Sequence, residues 1–199
     1  MKILVVGAYG DIGKVVCDEF GTRHDLVRVG RSRGDYLVDV SDRSAVDRMY
    51  DALGEIDAVV STAGDVKFAP LAEQTSKTMA FALQQKVMGQ INLVLSGLTR
   101  LSDQGSFTLT SGILDRDPIP MAVGAATANG ALGGFVKGAA IEMPRGFRIN
   151  VVSPGLLEVS EPRYGALFAG HNPVSSKRVA RAYAKSVEGA RTGQVIIVD

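Results

Sequence analysis

The sequence predicts a three-layer α/β/α sandwich on a doubly wound parallel sheet, formed as one domain over residues 1–199. Short apolar, β-branched runs alternate with helical stretches from end to end, which is the pattern of linked βαβ units. The runs are apolar throughout rather than at every second residue, as in strands buried on both faces. No repeat, linker or shift of composition divides the chain. Its 199 residues, 46% of them apolar, suit one core.

Strands are expected at Lys2–Val6, Leu26–Val29, Tyr36–Val38, Ala58–Ser61, Ser106–Thr110, Arg148–Val152 and Gln194–Val198. Between the first two, Ile12, Val15, Val16 and Phe20 place apolar groups on one helical face. Ser41-Asp42 caps a helix carrying Val46, Met49 and Leu53. Longer helices are expected over Ser76–Leu101 and Ala122–Glu142, the second stopped by Pro144 and Gly146. A final helix runs over Ser176–Glu188.

Bulk properties exclude several classes. A formal net charge of +1, with no dense basic run, gives no electrostatic footprint for nucleic acid. No apolar run has bilayer length, and the apolar start is too short for a signal peptide, so no membrane association is expected. Cys17 is the only cysteine, which leaves no disulfide framework and no thiolate metal site; a reduced, cytoplasmic setting is expected. Its helical spacing from Gly13 and Phe20 reads as a small buried side chain. His24, in a turn, is expected at the surface.

The first strand runs into Gly7-Ala8-Tyr9-Gly10-Asp11-Ile12-Gly13, and a helix follows. Glycines there permit a tight turn and let backbone approach a diphosphate, while the helix start offers free N–H groups and partial positive charge. The spacing is G-x-x-G-x-x-G rather than G-x-G-x-x-G.

In that spacing the loop resembles the short-chain dehydrogenase/reductase family, whose fold is Rossmann-type. Other segments resemble it in the same order: Asp39-Val40, the pair that contacts adenine; Ser61-Thr62-Ala63-Gly64, the segment beside the cofactor; Thr110-Ser111-Gly112, which supplies the active-site serine; and Ser153-Pro154-Gly155, which covers the nicotinamide. Thr192-Gly193-Gln194 and Val198-Asp199 resemble the closing strand. The resemblance spans essentially the whole chain. It implies a nicotinamide cofactor held by Gly7, Tyr9, Gly10, Asp11, Ile12 and Gly13, by Asp39 and Val40, by Thr62, Ala63 and Gly64, by Lys86 and Thr110, and by Pro154, Gly155 and Leu157. It also implies an oxidoreductase acting on a small carbonyl or alcohol.

NAD binders usually end the second strand with an acidic residue that holds the ribose 2′-hydroxyl. Here the strand ends Val29-Gly30-Arg31-Ser32-Arg33. A guanidinium pairs bidentately with a 2′-phosphate and a serine hydroxyl adds a bond, so NADP(H) is favoured over NAD(H), with Arg31 and Ser32 as the ligands.

The family's tyrosine and lysine, on one helix face four residues apart, are missing. Counting from Ser111 reaches Gly124 and Ala128, and Met121–Gly130 holds no Tyr or Lys. Lys86 stands where the resemblance expects the active-site asparagine. Three readings stay open: an active reductase whose proton donor is Lys86, Tyr164, His171, a water or the substrate; a non-catalytic NADP(H) sensor or scaffold; and a remnant enzyme with slow, unspecific turnover. Ser111 and Lys86 are the catalytic candidates. The missing pair, and the lack of a larger C-terminal substrate domain, argue against a sugar-nucleotide epimerase.

The Ala/Gly-rich stretch from Ala122 to Ala140 includes Gly133-Gly134. Glycine inside a helix costs about 1 kcal/mol against alanine, which close packing of another backbone offsets. Related proteins pair their long helices across a two-fold axis, so a homodimer or homotetramer is expected.

Overall fold

The computed structural model describes all 199 residues. Its sheet has seven strands: β1 (Lys2–Val6), β2 (Asp25–Gly30), β3 (Tyr36–Leu37), β4 (Ile56–Ser61), β5 (Leu101–Thr110), β6 (Arg148–Pro154) and β7 (Val195–Val198). They lie in the order β3-β2-β1-β4-β5-β6-β7, and every pairing is parallel. The helices are α1 (Asp11–Phe20), α2 (Arg43–Leu53), α3 (Ser76–Ala82), α4 (Gly89–Gly97), α5 (Val123–Ala140), α6 (Glu161–Tyr164) and α7 (Ser176–Val187). This is the expected three-layer architecture.

Strand alternation divides the core. Leu4 and Val6 of β1 point into one layer, with Val46, Met49 and Tyr50 of α2, Leu93 of α4 and Leu132 of α5. Ile3 and Val5 point into the other, with Val16 and Phe20 of α1 and Val179 and Tyr183 of α7. Cys17 is buried in this second layer. No helix is long and apolar enough to cross a membrane.

α2 begins as the cap predicts: the Asp42 carboxylate accepts from the amides of Ser44 (2.9 Å) and Ala45 (3.2 Å). The helix expected over Ser76–Leu101 is interrupted by a π-helical segment at Leu83–Met88 and stops at Gly97. A Cβ at Gly97 would come within 2.7 Å of the Phe107 ring, so the chain closes onto the sheet there. Leu101 opens β5 instead, paired with Ile56, and a register shift separates that pair from Ala58 and Ser106. Leu98 and Leu101, three apart, mimic a helical stripe, which is why the sequence pattern carries the helix over residues that open β5.

Candidate active site

β2 lies on one side of β1 and β4 on the other, so the chain reverses its winding between them. A crevice forms outside the carboxyl ends of strands at such a point. A cleft of about 450 Å³ opens there, lined by Gly10–Gly13, Thr62, Gly64, Lys86, Ser111–Leu114 and Pro154–Leu157.

The glycine loop has two kinds of glycine. Gly7 has φ +81°, and a Cβ on it would lie 2.8 Å from the Ala63 nitrogen. A Cβ on Gly13 would lie 2.1 Å from the Gly7 oxygen. The protein's own packing requires both. Gly10 is different: a Cβ there meets only the Gly7 oxygen, at an ordinary 3.6 Å. Its missing side chain keeps the cleft open. No side chain caps α1, and the amides of Asp11, Ile12 and Gly13 donate to no protein acceptor. Free amides at a helix start beside a backbone with no side chain suit an anionic diphosphate.

Outside the cleft lining, Arg31 and Ser32 are exposed after β2. The Arg33 guanidinium stacks on the Tyr9 ring, 4.6 Å from its centroid. The Asp39 carboxylate accepts from the Ser41 hydroxyl (2.7 Å) and amide (2.9 Å). Those bonds, with the nearby Arg31 charge, hold its carboxyl below the usual range. The Val40 carbonyl accepts from Asn92 Nδ2 at 2.9 Å, and its half-buried side chain packs against Gly89. Thr62 donates to the carbonyls of Val6 (3.1 Å) and Gly7 (3.0 Å), which ties β4's exit to the loop. Ala63 packs at the edge of the core, while Gly64 lies on the cleft wall.

Lys86 sits in the π-helical segment. Its stem lies where a side chain of Gly64 would be; a Cβ there would come within 2.8 Å of Lys86 Cγ. Nζ donates to the main-chain oxygen of Ser111 at 3.2 Å, and no carboxylate forms an ion pair with it. Burial pushes its pKa down to about 8, with Asp115 partly opposing.

Fully buried Gln90 ties Lys86 to β5. Its Nε2 donates to the carbonyls of Thr110 (2.9 Å) and Lys86 (3.2 Å), and its Oε1 accepts from the Thr110 amide (2.8 Å). β4 has ended at that level, so Gln90 replaces a strand partner.

The hydroxyl of Ser111 is buried and has no protein partner. Asn129 of α5 donates through Nδ2 to the Gly112 carbonyl at 3.0 Å, and its buried Oδ1 has none. Two unsatisfied polar groups on one cleft point to a ligand that satisfies them.

Several expectations need correction. Thr110, expected at the cofactor, turns away: its hydroxyl meets the Ser61 carbonyl and the Tyr183 hydroxyl, each at 2.6 Å, because side chains alternate across β5. The missing pair falls at Ala125 and Asn129, which line the cleft; Gly124 does not, and Ala128 packs in the core. Counting from Ser111 lands one residue short of the α5 positions that face the cleft. His171 lies off the cleft, edge-on to Phe168 with ring centroids 5.3 Å apart. His24 is largely covered rather than exposed, 2.8 Å from a Glu188 carboxylate oxygen. Tyr164 does reach the cleft rim.

Sequence reasoning missed Asn129, Leu114, Phe68, Ser160 and Phe168 in the lining. Only Asn129 left a trace, as one of three polar residues, with Thr127 and Lys137, in a helix of small ones. Ser160 joins the cleft through Asp11, whose carboxylate accepts from Ser160 Oγ at 2.6 Å and pairs with Arg163.

Comparison with known proteins bears on this geometry. The family model described as enoyl-(acyl carrier protein) reductase, a short-chain dehydrogenase model, matches residues 19–199. The protein lin1944 from Listeria innocua is 46% identical, with TM-score 0.98 and all of both chains covered. A small-chain dehydrogenase solved in complex with NADPH is 26% identical, with TM-score 0.88, over 100% of this chain and 96% of that one. ElxO with NADP bound, 20% identical with TM-score 0.86 over 100% and 96% of the two chains, shares the fold. No curated protein matches.

Proposed function

This chain belongs to the short-chain dehydrogenase/reductase family, and from that premise we propose that it is an NADP(H)-dependent oxidoreductase of a small carbonyl or alcohol with a rebuilt proton-transfer group. The carrying observation is that the free amides of Asp11–Gly13 open onto the same cleft as Lys86 and the unsatisfied Ser111 hydroxyl.

On this reading residues 1–199 form one cofactor-binding domain. The start of α1 holds the diphosphate, Arg31 and Ser32 hold the 2′-phosphate, and Asp39 flanks the adenosine end. The Asn129 Oδ1 accepts from a ribose hydroxyl, which satisfies its buried acceptor. A bound nicotinamide supplies or takes up the hydride. Ser111 Oγ and Lys86 Nζ donate to the substrate oxygen, and Lys86, as an ammonium, provides the proton that Ala125 cannot. Leu156, Leu157 and Phe168 exclude water.

The groove between α4 and α5, lined by Leu95, Leu98, Gly134 and Gly138, is where a second copy packs to form a homodimer or homotetramer. The neighbours' bound NADPH and NADP support the cofactor reading. NADPH oxidation measured across a carbonyl panel, alongside calorimetric NADPH and NADH binding, tests it. Absent turnover with tight NADPH binding favours the second reading, a non-catalytic NADP(H) sensor, which Ala125 in the tyrosine's place supports.

A further inference from the structure

Lys86 is a buried amine without an ion-pair partner, its desolvation offset only in part by Asp115. Its stem is fixed over Gly64, its one protein acceptor is the Ser111 main-chain oxygen, and no carboxylate pairs with it. An ammonium has three donors, so two remain without a protein partner. The cleft it lines is walled by Ile113, Leu114 and Ala125. Such a wall accepts hydrocarbon, and the carboxylates around the cleft (Asp11, Asp65 and Asp115) form no ion pair with the amine, Asp115 only partly offsetting its desolvation. Burial pushes the amine to about 8, which leaves a minor neutral fraction near neutrality. A desolvated lysine is a nucleophile toward carbonyl carbon. The Ser111 hydroxyl, buried without a partner in the same cleft, is placed to relay protons.

The geometry points to Lys86 as a covalent catalyst that condenses with α,β-unsaturated aldehydes or ketones and directs hydride to their β-carbon. This rests on the NADP(H) reading above for its hydride source. Nζ attacks the carbonyl carbon, forming a C–N bond while the oxygen takes up a proton. The resulting carbinolamine loses that oxygen as water and leaves an iminium conjugated to the C=C bond. NADPH gives hydride to the β-carbon and becomes NADP⁺, and the electron pair moves to form an enamine. The α-carbon takes a proton, and water then hydrolyses the new iminium to a saturated carbonyl compound and free Lys86. The sum is unsaturated carbonyl, NADPH and one proton giving saturated carbonyl and NADP⁺. Conjugation is what allows turnover. Hydride on the iminium carbon itself would leave a secondary amine fixed to Lys86.

Borohydride trapping tests this on cofactor-free protein with crotonaldehyde. The expected product carries, on Lys86 alone, the mass of the aldehyde less one oxygen, and trapping rises severalfold as pH increases toward about 8. In the Lys86→Arg protein that peptide is unmodified. Adducts scattered over surface lysines, no adduct at Lys86, or one retaining the whole aldehyde mass overturns the proposal. Peptide mapping of the parent protein decides the matter even where the variant fails to fold. In a second arm, NADPH deuterated at the transferred position should label the β-carbon of a saturated aldehyde. Deuterium on the carbonyl carbon of an alcohol overturns the conjugate step. Failure to bind NADPH removes the oxidoreductase reading and leaves the trapping result standing.

Discussion

The Asp11 carboxylate, in the first turn of α1, accepts a hydrogen bond from Ser160 Oγ at 2.6 Å across 149 residues of chain. It also pairs with Arg163, so the segment from Glu158 to Leu167 is fastened to the glycine loop. Removing one net hydrogen bond costs about 1 kcal/mol, or roughly fivefold in local opening. Ser160→Ala is therefore expected to speed limited proteolysis within this segment about fivefold while leaving Tm nearly unchanged. Unaltered cleavage would show that Asp11 does not hold the segment.

Gly10 and Gly13 should separate binding from folding. At Gly10 a methyl meets only ordinary contact, so Gly10→Ala is expected to fold with Tm near that of the parent while NADPH affinity drops tenfold or more. At Gly13 the new Cβ would overlap the Gly7 carbonyl, and Gly13→Ala is expected to lower Tm sharply. Calorimetry and thermal melts read the two effects. Equal NADPH affinity in Gly10→Ala would remove the diphosphate from that loop.

Arg31→Ala should weaken NADPH far more than NADH. A hydrogen bond to a charged group contributes about 1.5–3 kcal/mol, so a roughly 10- to 150-fold loss is expected for NADPH alone. Equal losses for both cofactors would move the 2′-phosphate elsewhere, with Arg33, stacked on Tyr9, as the nearest alternative.

Lys86 should show a conflict between stability and activity. Its pKa, about 8 in the fold, is depressed below the usual 10.5, so the folded state gives up its proton first. Below pH 8 the buried charge therefore destabilises in full. That cost is relieved as pH rises from about 8 toward 10.5, a span of up to roughly 3 kcal/mol before screening by solvent in the cleft is discounted. Lys86→Met is expected to raise Tm at pH 7, with the gain shrinking above pH 9, and to abolish carbonyl reduction. In the parent protein, the proposed role of the ammonium as proton donor predicts that reduction of an unconjugated ketone falls as pH rises through about 8. Imine capture should rise over the same range. A flat profile for both would show that Lys86 does not titrate in either step.

Much of the site was legible because its residues are local in sequence. The glycine loop, its strand and its helix lie within Lys2–Phe20, and each piece carries its own period or turn chemistry. Ser111 follows the strand end for the same reason. The α5 register was not legible. Whether Ala125 or Gly124 faces the cleft depends on how a 3₁₀ turn and two prolines consume chain before the helix begins, and no periodicity records that. Thr110 was misplaced because neighbours on a strand take opposite faces, and only the pairing with β4 and β6 fixes which face is which.

By itself the sequence determined the layers and the order of the elements, because hydrophobic period and glycine placement act over a few residues at a time. It also determined that a lysine stands at position 86 and that no tyrosine lies on α5. Only the tertiary structure decided what that lysine faces. Its seat over Gly64, its bond to Ser111 and its tie through Gln90 to β5 join residues 20 to 25 positions apart in the chain. Desolvation depends on what surrounds a group in space, and the chain meets itself there only after folding.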